Sequence, residues 1–199
     1  MTGQISALSR RVVSALLLLG LAASWPGLAA SADQRDPRLD DLFAELQRTA
    51  SLSQAQTIVG EIWDRWTAFA SDPVSDARAS SLMAAGMQMM GDGRLESAER
   101  VFTELVSTHP GHAEAWNKRA TVRFMRGNDS GSRSDIARVI ELEPRHFGAL
   151  SGLGMINVRR GDFAGALQAF EAALRVNPHM PHAADMVTRL RKTLRGQAL

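Results

Sequence analysis

The chain has 199 residues, a formal net charge of +2 and no cysteine. Without cysteine, disulfide scaffolds, thiolate catalysis and attachment of a lipid to a thiol are excluded. The surplus charge is Arg10 and Arg11; the rest of the sequence is formally neutral, which argues against the basic face that general nucleic-acid binding needs.

Those two arginines open the first predicted element. Val12 to Ala23 is an apolar run, Pro26 and Gly27 break it, and Ala30-Ser31-Ala32 is a small-residue processing site. A signal peptide over residues 1–32, cleaved after Ala32, is expected. The alternative is an uncleaved N-terminal membrane anchor, against which Pro26, Gly27 and the serines count. Arginine outnumbers lysine 21 to 2, which points to a GC-rich bacterial genome. The expected location is therefore the periplasm or beyond it, with no membrane insertion after cleavage.

Asp36-Pro37 has the form of a helix start, with Asp as the cap and Pro at the first helical position. Leu39, Leu42, Phe43 and Leu46 recur at helical spacing. A second helix is predicted from about Ser53 to Ala70, with Ile58, Ile62, Trp63, Trp66 and Phe69 on one face. The short link between them makes residues 36–70 a helical hairpin. Trp63 and Trp66 are expected to pack on the next hairpin. Charge is uneven here: Asp33 to Asp76 holds nine acids and four arginines, and the remainder after it is net basic, with Arg189, Arg191, Lys192 and Arg195 near the end.

The next hundred residues carry a repeat. Pro110, Pro144 and Pro178 are 34 residues apart, and Gly93, Gly127 and Gly161 keep the same step. A fixed period of this length marks a stacked-repeat architecture. Phased on it, the units are about 79–112, 113–146 and 147–180, within residues 78–178. The third has Leu150, Leu153-Gly154, Ala166, Phe170, Ala173 and Pro178 at positions 4, 7, 8, 20, 24, 27 and 32. The first has Leu82, Ala85, Gly86, Ala98, Phe102, Leu105 and Pro110 there. The second has Trp116, Arg119, Ala120, Ser132, Ile136, Val139 and Pro144. After Pro181 a last helix, 181–195, shows one apolar stripe of Ala183, Met186, Val187, Leu190 and Leu194 and a basic opposite face, suited to capping a solenoid.

These residues resemble the tetratricopeptide repeat (TPR) family. The resemblance covers about Arg78 to Pro178 and implies an all-α, right-handed solenoid of helical hairpins: three TPR units, a TPR-like N-terminal hairpin and a C-terminal capping helix. Small residues at positions 8 and 20 let two helices approach. The aromatic at 24 is expected to fill the gap to the next hairpin, glycine at 15 to permit the turn, and proline at 32 to stop the second helix. Arg119, and Arg123 at position 11, depart from the pattern, so unit two is expected to be less regular. Gly131 would weaken its second helix by roughly 1 kcal/mol relative to alanine.

The resemblance also implies a concave groove. Its lining would include Met83, Met87 and Met90, then Asn117, Thr121 and Phe124, then Ser151, Met155, Val158 and Arg159. The Lys/Asn/Arg clamp for acidic tails is missing: Met83 and Met87 stand at its first positions, Gly148 and Gly152 at its last. A methionine-rich groove suits an apolar segment or an amphipathic helix of a partner protein. The alternative occupant is the protein's own C-terminal helix or a longer assembly.

No nucleophile, base and orienting group fall together. Ser151-Gly152-Leu153-Gly154 sits inside a helix and lacks the strand that precedes a nucleophile elbow. The five histidines, His109, His112, His146, His179 and His182, all fall at turns between repeats, along one edge. No close acid or cysteine completes a metal site there. Met83, Met87, Met89 and Met90 are assigned to core and groove rather than to Cu(I). The sequence therefore points to a non-enzymatic protein-interaction adaptor without cofactor. A self-associating envelope subunit is the second reading, its acidic N-terminal hairpin meeting the basic end of another copy. A periplasmic metal-handling protein is the third.

Overall fold

The structure is a computed structural model that describes residues 34–69 and 73–197; the predicted signal peptide lies outside the described residues. Among the described residues the secondary structure is helical throughout. The helices are α1 (Arg38–Arg48), α2 (Leu52–Thr67), α3 (Pro73–Gly91), α4 (Leu95–Thr108), α5 (Ala113–Met125), α6 (Asp129–Leu142), α7 (Phe147–Arg159), α8 (Phe163–Val176) and α9 (Pro181–Gln197). None of them is long and apolar enough to cross a membrane.

Local chemistry sets these boundaries with the period of the repeat. Gly93, Gly127 and Gly161 have φ of 74°, 81° and 76° and end α3, α5 and α7 in left-handed turns. Asn128 and Asp162, also 34 residues apart, cap α6 and α8 by accepting from Gly131 N and Gly165 N. Gly131 is thus in the first turn of α6, where a glycine costs less than in a helix interior. At the N-terminus the helix proper begins at Arg38, with Pro37 at its boundary. Asp36 nevertheless acts as the cap, its Oδ1 accepting from Arg38 N at 2.8 Å. α2 ends at Thr67, ahead of the expected Ala70.

From α3 to α9 each helix packs on its neighbour in sequence, and α5 also touches α3 and α7. These three form the inner layer of a helical-hairpin solenoid, with α4, α6 and α8 outside. The tightest approaches lie within hairpins. A Cβ on Gly86 would sit 2.6 Å from the Phe102 ring, and one on Gly154 would sit 2.8 Å from the Phe170 ring. The aromatic at position 24 therefore packs on the glycine of its own hairpin. It also fills the gap to the following element, as expected: Phe102 shares a core with Ala115 and Val122 of α5, and Phe170 with Ala183, Val187 and Leu190 of α9. α9 closes the stack through Ala183, Val187 and Leu190 against Ala166 and Phe170.

Unit two is as regular as unit three: α5 and α7 have 13 residues each, α6 and α8 have 14. The expected irregularity is absent because the two arginines are paired inside the fold. Arg119 grips buried Asp135 through two nitrogens, at 2.9 and 2.8 Å. Arg123 reaches Asp135 at 2.9 Å and Glu99 at 2.9 Å, and Arg126 also bonds Glu99. The Arg119 guanidinium lies over the Trp116 ring at 4.8 Å. An ion-pair cluster and a cation–π contact hold this junction where the family places leucine and an aromatic.

The N-terminal hairpin departs most from expectation. It does not form a first layer ahead of α3 and α4 into which Trp63 and Trp66 pack. α2 lies instead on α5. The hairpin's core (Leu39, Leu42, Leu46, Ile58, Ile62 and Trp66) joins Phe147 at the start of α7, with Val176 and Met180 beyond. Gln34 Nε2 donates to Gly111 O at 2.6 Å, Arg145 bonds Asp40 at 2.6 Å, and Gln47 Nε2 donates to Arg175 O and Val176 O. The hairpin thus runs along the three turns between repeats and touches all three units. The acidic N-terminal segment meets basic residues of its own chain.

Candidate functional site: the inner helix layer

The inner layer is divided across its width. The first turns of α5 and α7 lie under the hairpin, while the last turns of α3, α5 and α7 do not.

Under the hairpin, the caps of the inner helices carry the contact. His112 and His146 are the N-cap residues of α5 and α7, and their Nδ1 atoms accept from Ala115 N at 3.2 Å and Ala149 N at 3.1 Å. An accepting Nδ1 leaves Nε2 as the donor. His112 Nε2 meets Ala68 O at 3.0 Å, at the end of α2, and His146 Nε2 meets Glu114 Oε2 at 2.9 Å. Each imidazole also faces a ring of the hairpin. Phe69 stacks on His112 with centroids 3.9 Å apart, and Trp66 on His146 at 4.2 Å. Trp63 completes the contact, edge-on to His146 and Phe147. It fits because Gly148 has no side chain: a Cβ there would lie 2.9 Å from the indole.

Glu114 is fully buried beneath Trp63. Burial alone would raise its pKa; the His146 hydrogen bond, with the charge of Lys118, outweighs burial and holds the carboxyl below the usual value. Lys118 Nζ is 2.7 Å away and also lies over the Trp63 ring. Asn117 Nδ2 donates to the same carboxylate at 2.8 Å. The result is a sealed polar network, satisfied from several sides.

His112 gives the fold a defined response to acid. Burial, the largest cause, pushes its pKa down to about 4, with His109 adding to the fall and the Ala68 carbonyl and Glu114 opposing it. The unfolded chain takes up this proton near 6.5 and the folded chain only near 4. This contribution is whole above pH 6.5 and lost as pH falls from there toward 4. Between pH 7.5 and 5 the loss is about 2 kcal/mol. Glu114, with its depressed pKa, adds a further loss below the usual carboxylate range. Urea midpoints across this span should fall with acid, and His112→Asn, which keeps a cap, should flatten the fall. A midpoint unchanged down to pH 5 in the parent chain would refute this account of His112.

The ten groove residues read from the sequence are not brought together as one surface. Met83 is 4% exposed and belongs to the core with Phe102, Leu105 and Val122, so its place in a groove lining is corrected: the long α3 turns this residue into its contact with α4 and α5. Asn117 is buried in the Glu114 network. Ser151, Met155 and Val158 are half-buried, the last two against the cluster that includes α9. Met87, Met90, Thr121, Phe124 and Arg159 remain on the uncovered half, joined by Met125. Arg159 crosses from α7 to α5: it bonds Asp129, donates to Phe124 O at 3.1 Å, and lies over the Phe124 ring at 3.7 Å.

The other sequence candidates take simple places. His109 sits edge-on to Phe69, and His182 edge-on to Phe170. Among the described residues no three His, Asp or Glu side chains gather as a metal site would require. Sequence reasoning put all five histidines on one edge but missed what two of them do. The signal was present, since His112 and His146 are one period apart and each precedes an inner helix.

The repeats have recognisable counterparts. Residues 83–138 and 130–181 match the tetratricopeptide repeat. A TPR repeat-containing protein of Rhizobium etli is 36% identical over 159 residues, which span 80% of this chain and 76% of that protein. In three dimensions the chain resembles the Sgt2 TPR domain from Aspergillus fumigatus, with a TM-score of 0.57, 17% identity, and coverage of 61% of this chain and 82% of that one. It also resembles the first TPR of Spaghetti (RPAP3), solved bound to an HSP90 peptide, with a TM-score of 0.56, 19% identity, and coverage of 58% and 92%. MamA gives a TM-score of 0.55 at 20% identity, covering 58% of this chain and 67% of that one. At such identities the three structural likenesses concern the fold alone.

Proposed function

This chain belongs to the tetratricopeptide repeat family, and from that premise we propose that it is a non-enzymatic adaptor of the bacterial periplasm that docks a segment of a partner protein on the uncovered half of its inner helix layer. One observation carries the reading. Among the described residues the exposed large hydrophobics are Leu52, Met87 and Met125, and the two methionines, 41% and 52% exposed, both lie on that half. Met90 and Phe124, on the same two helices, are half-buried. Flexible thioethers next to an aromatic ring adapt to apolar side chains of varied shape. Arg159, over the Phe124 ring, borders the patch. The ligand this favours is an apolar or amphipathic segment, not an acidic chain terminus, because the clamp positions hold Met83, Met87, Gly148 and Gly152. The leader supports export, and the neutral charge balance beyond it supports a protein rather than a nucleic-acid partner.

A photo-reactive amino acid at position 87 in the native cell tests this. A discrete protein adduct is expected in the periplasmic fraction, on a chain whose N-terminus is Asp33. Met125→Glu on the same chain should abolish the adduct and leave the melting temperature unchanged, since Met125 is exposed. Persistence of the adduct in Met125→Glu would mean that the uncovered half is not the docking surface.

A further inference from the structure

The repeats build a second periodic surface, beneath the N-terminal hairpin. α2 presents Trp63 and Trp66, and the extended chain just past its end presents Phe69, to a surface built by the repeats themselves. Phe69 meets His112, Trp66 meets His146 one repeat further on, and Trp63 enters the space left by Gly148. The receiving side is periodic because its two imidazoles are the caps of successive inner helices.

The seam joins one edge of the hairpin's own core to the repeats. The hairpin has a core of its own in Leu39, Leu42, Leu46, Ile58 and Ile62. It adheres through Phe147, Val176 and Met180 packed against that core, ring stacking, amide side chains on backbone carbonyls and the solvent-exposed pair Asp40–Arg145, a class of ion pair that contributes little. The Trp66 indole nitrogen is buried in the seam without an acceptor among the described residues. A neutral imidazole cap, a carbonyl-rich turn and a basic rim at Arg145 suit an aromatic helix with an acidic flank.

We propose that this face is a docking site for a partner helix whose last turn carries aromatic residues at i and i+3, with a third aromatic just past its end and acidic residues beside them, and that α1–α2 with Phe69 is a resident intramolecular ligand which such a segment displaces. The site is separate from the methionine patch and does not rest on the reading of that patch.

The test uses the full mature chain and a labelled synthetic peptide of residues 52–69, which carries the resident ligand's own chemistry. Trp63→Ala in the chain weakens the resident hairpin and leaves the receiving face intact. The peptide should then bind this variant at least about tenfold more tightly than the parent, because the competent fraction rises. Gly148→Val on the same background should remove that binding, since the added side chain fills the indole's place. Cysteines introduced at positions 40 and 145 are the only thiols in the chain; joined by a short bismaleimide they should block the peptide, and left unjoined they should not. Equal affinity in the parent, Trp63→Ala and bridged proteins, or no binding to any, would overturn the proposal. Dimers formed by exchange of hairpins between copies, seen by light scattering, would also overturn it by making a second copy the occupant.

Discussion

Gly154→Leu is expected to destabilise the folded chain by about 3 kcal/mol or more, the upper range for overpacking a core. The cause is local. The position of a Cβ on Gly154 is already 2.8 Å from the Phe170 ring, and Phe170 is fully buried between α7, α8 and α9. An isobutyl group needs the ring to leave or the two helices to part. Parting them also loosens α9, which closes the stack. For a chain of this size the loss corresponds to a fall of about 10 °C in melting temperature. Phe170→Ala combined with Gly154→Leu should cost less than the two changes added, because each makes room for the other. An unchanged melting temperature for Gly154→Leu would remove the pairing of positions 8 and 24 from the account.

Asp135→Ala is expected to cost about 3–5 kcal/mol, the range for removing one partner from a buried ion pair. It leaves the Arg119 guanidinium buried over Trp116 with its main acceptor gone, and Arg123 with Glu99 as its one carboxylate partner beside the Gly131 carbonyl. The loss should come from the stranded charge and not from the missing carboxylate. Arg119→Leu, which restores the family's residue at position 7, should therefore recover most of the stability in the double variant. Thermal or urea unfolding of the two single variants and the double variant measures the coupling directly. If the double variant is as unstable as Asp135→Ala, the cluster is held by packing and the electrostatic explanation fails.

The repeats were legible because their constraints are local and recur. Gly93, Gly127 and Gly161 mark left-handed turns and the three prolines follow helix ends, so the register of α3 to α9 follows from spacing alone. Arg119 was conspicuous as a departure, but its meaning lay in Asp135, sixteen residues away on the facing helix, and no period connects the two. The place of the N-terminal hairpin was not legible for a similar reason. Its apolar stripe announces that it packs on something, and hairpins at the end of a solenoid ordinarily add a layer. What places it along the turns is the match between Trp63 and Gly148, between Trp66 and His146, and between Phe69 and His112. The half-covered inner layer follows from those matches. Met83 was misassigned on the same account: a phase in the repeat fixes which way a side chain starts, not which neighbours close over it.

The central claim is that the hairpin lies along the inner layer and reaches the end of α8, where Gln47 bonds Arg175 O and Val176 O. Pulsed dipolar spectroscopy on the mature chain, with spin labels on cysteines placed at the exposed positions 48 and 175, tests it most directly. The account predicts one short distance, about 20 Å or below, as for elements in direct contact with axes 8–10 Å apart. A single distance of roughly 30 Å or more, as three stacked hairpins at that spacing would impose, would contradict it.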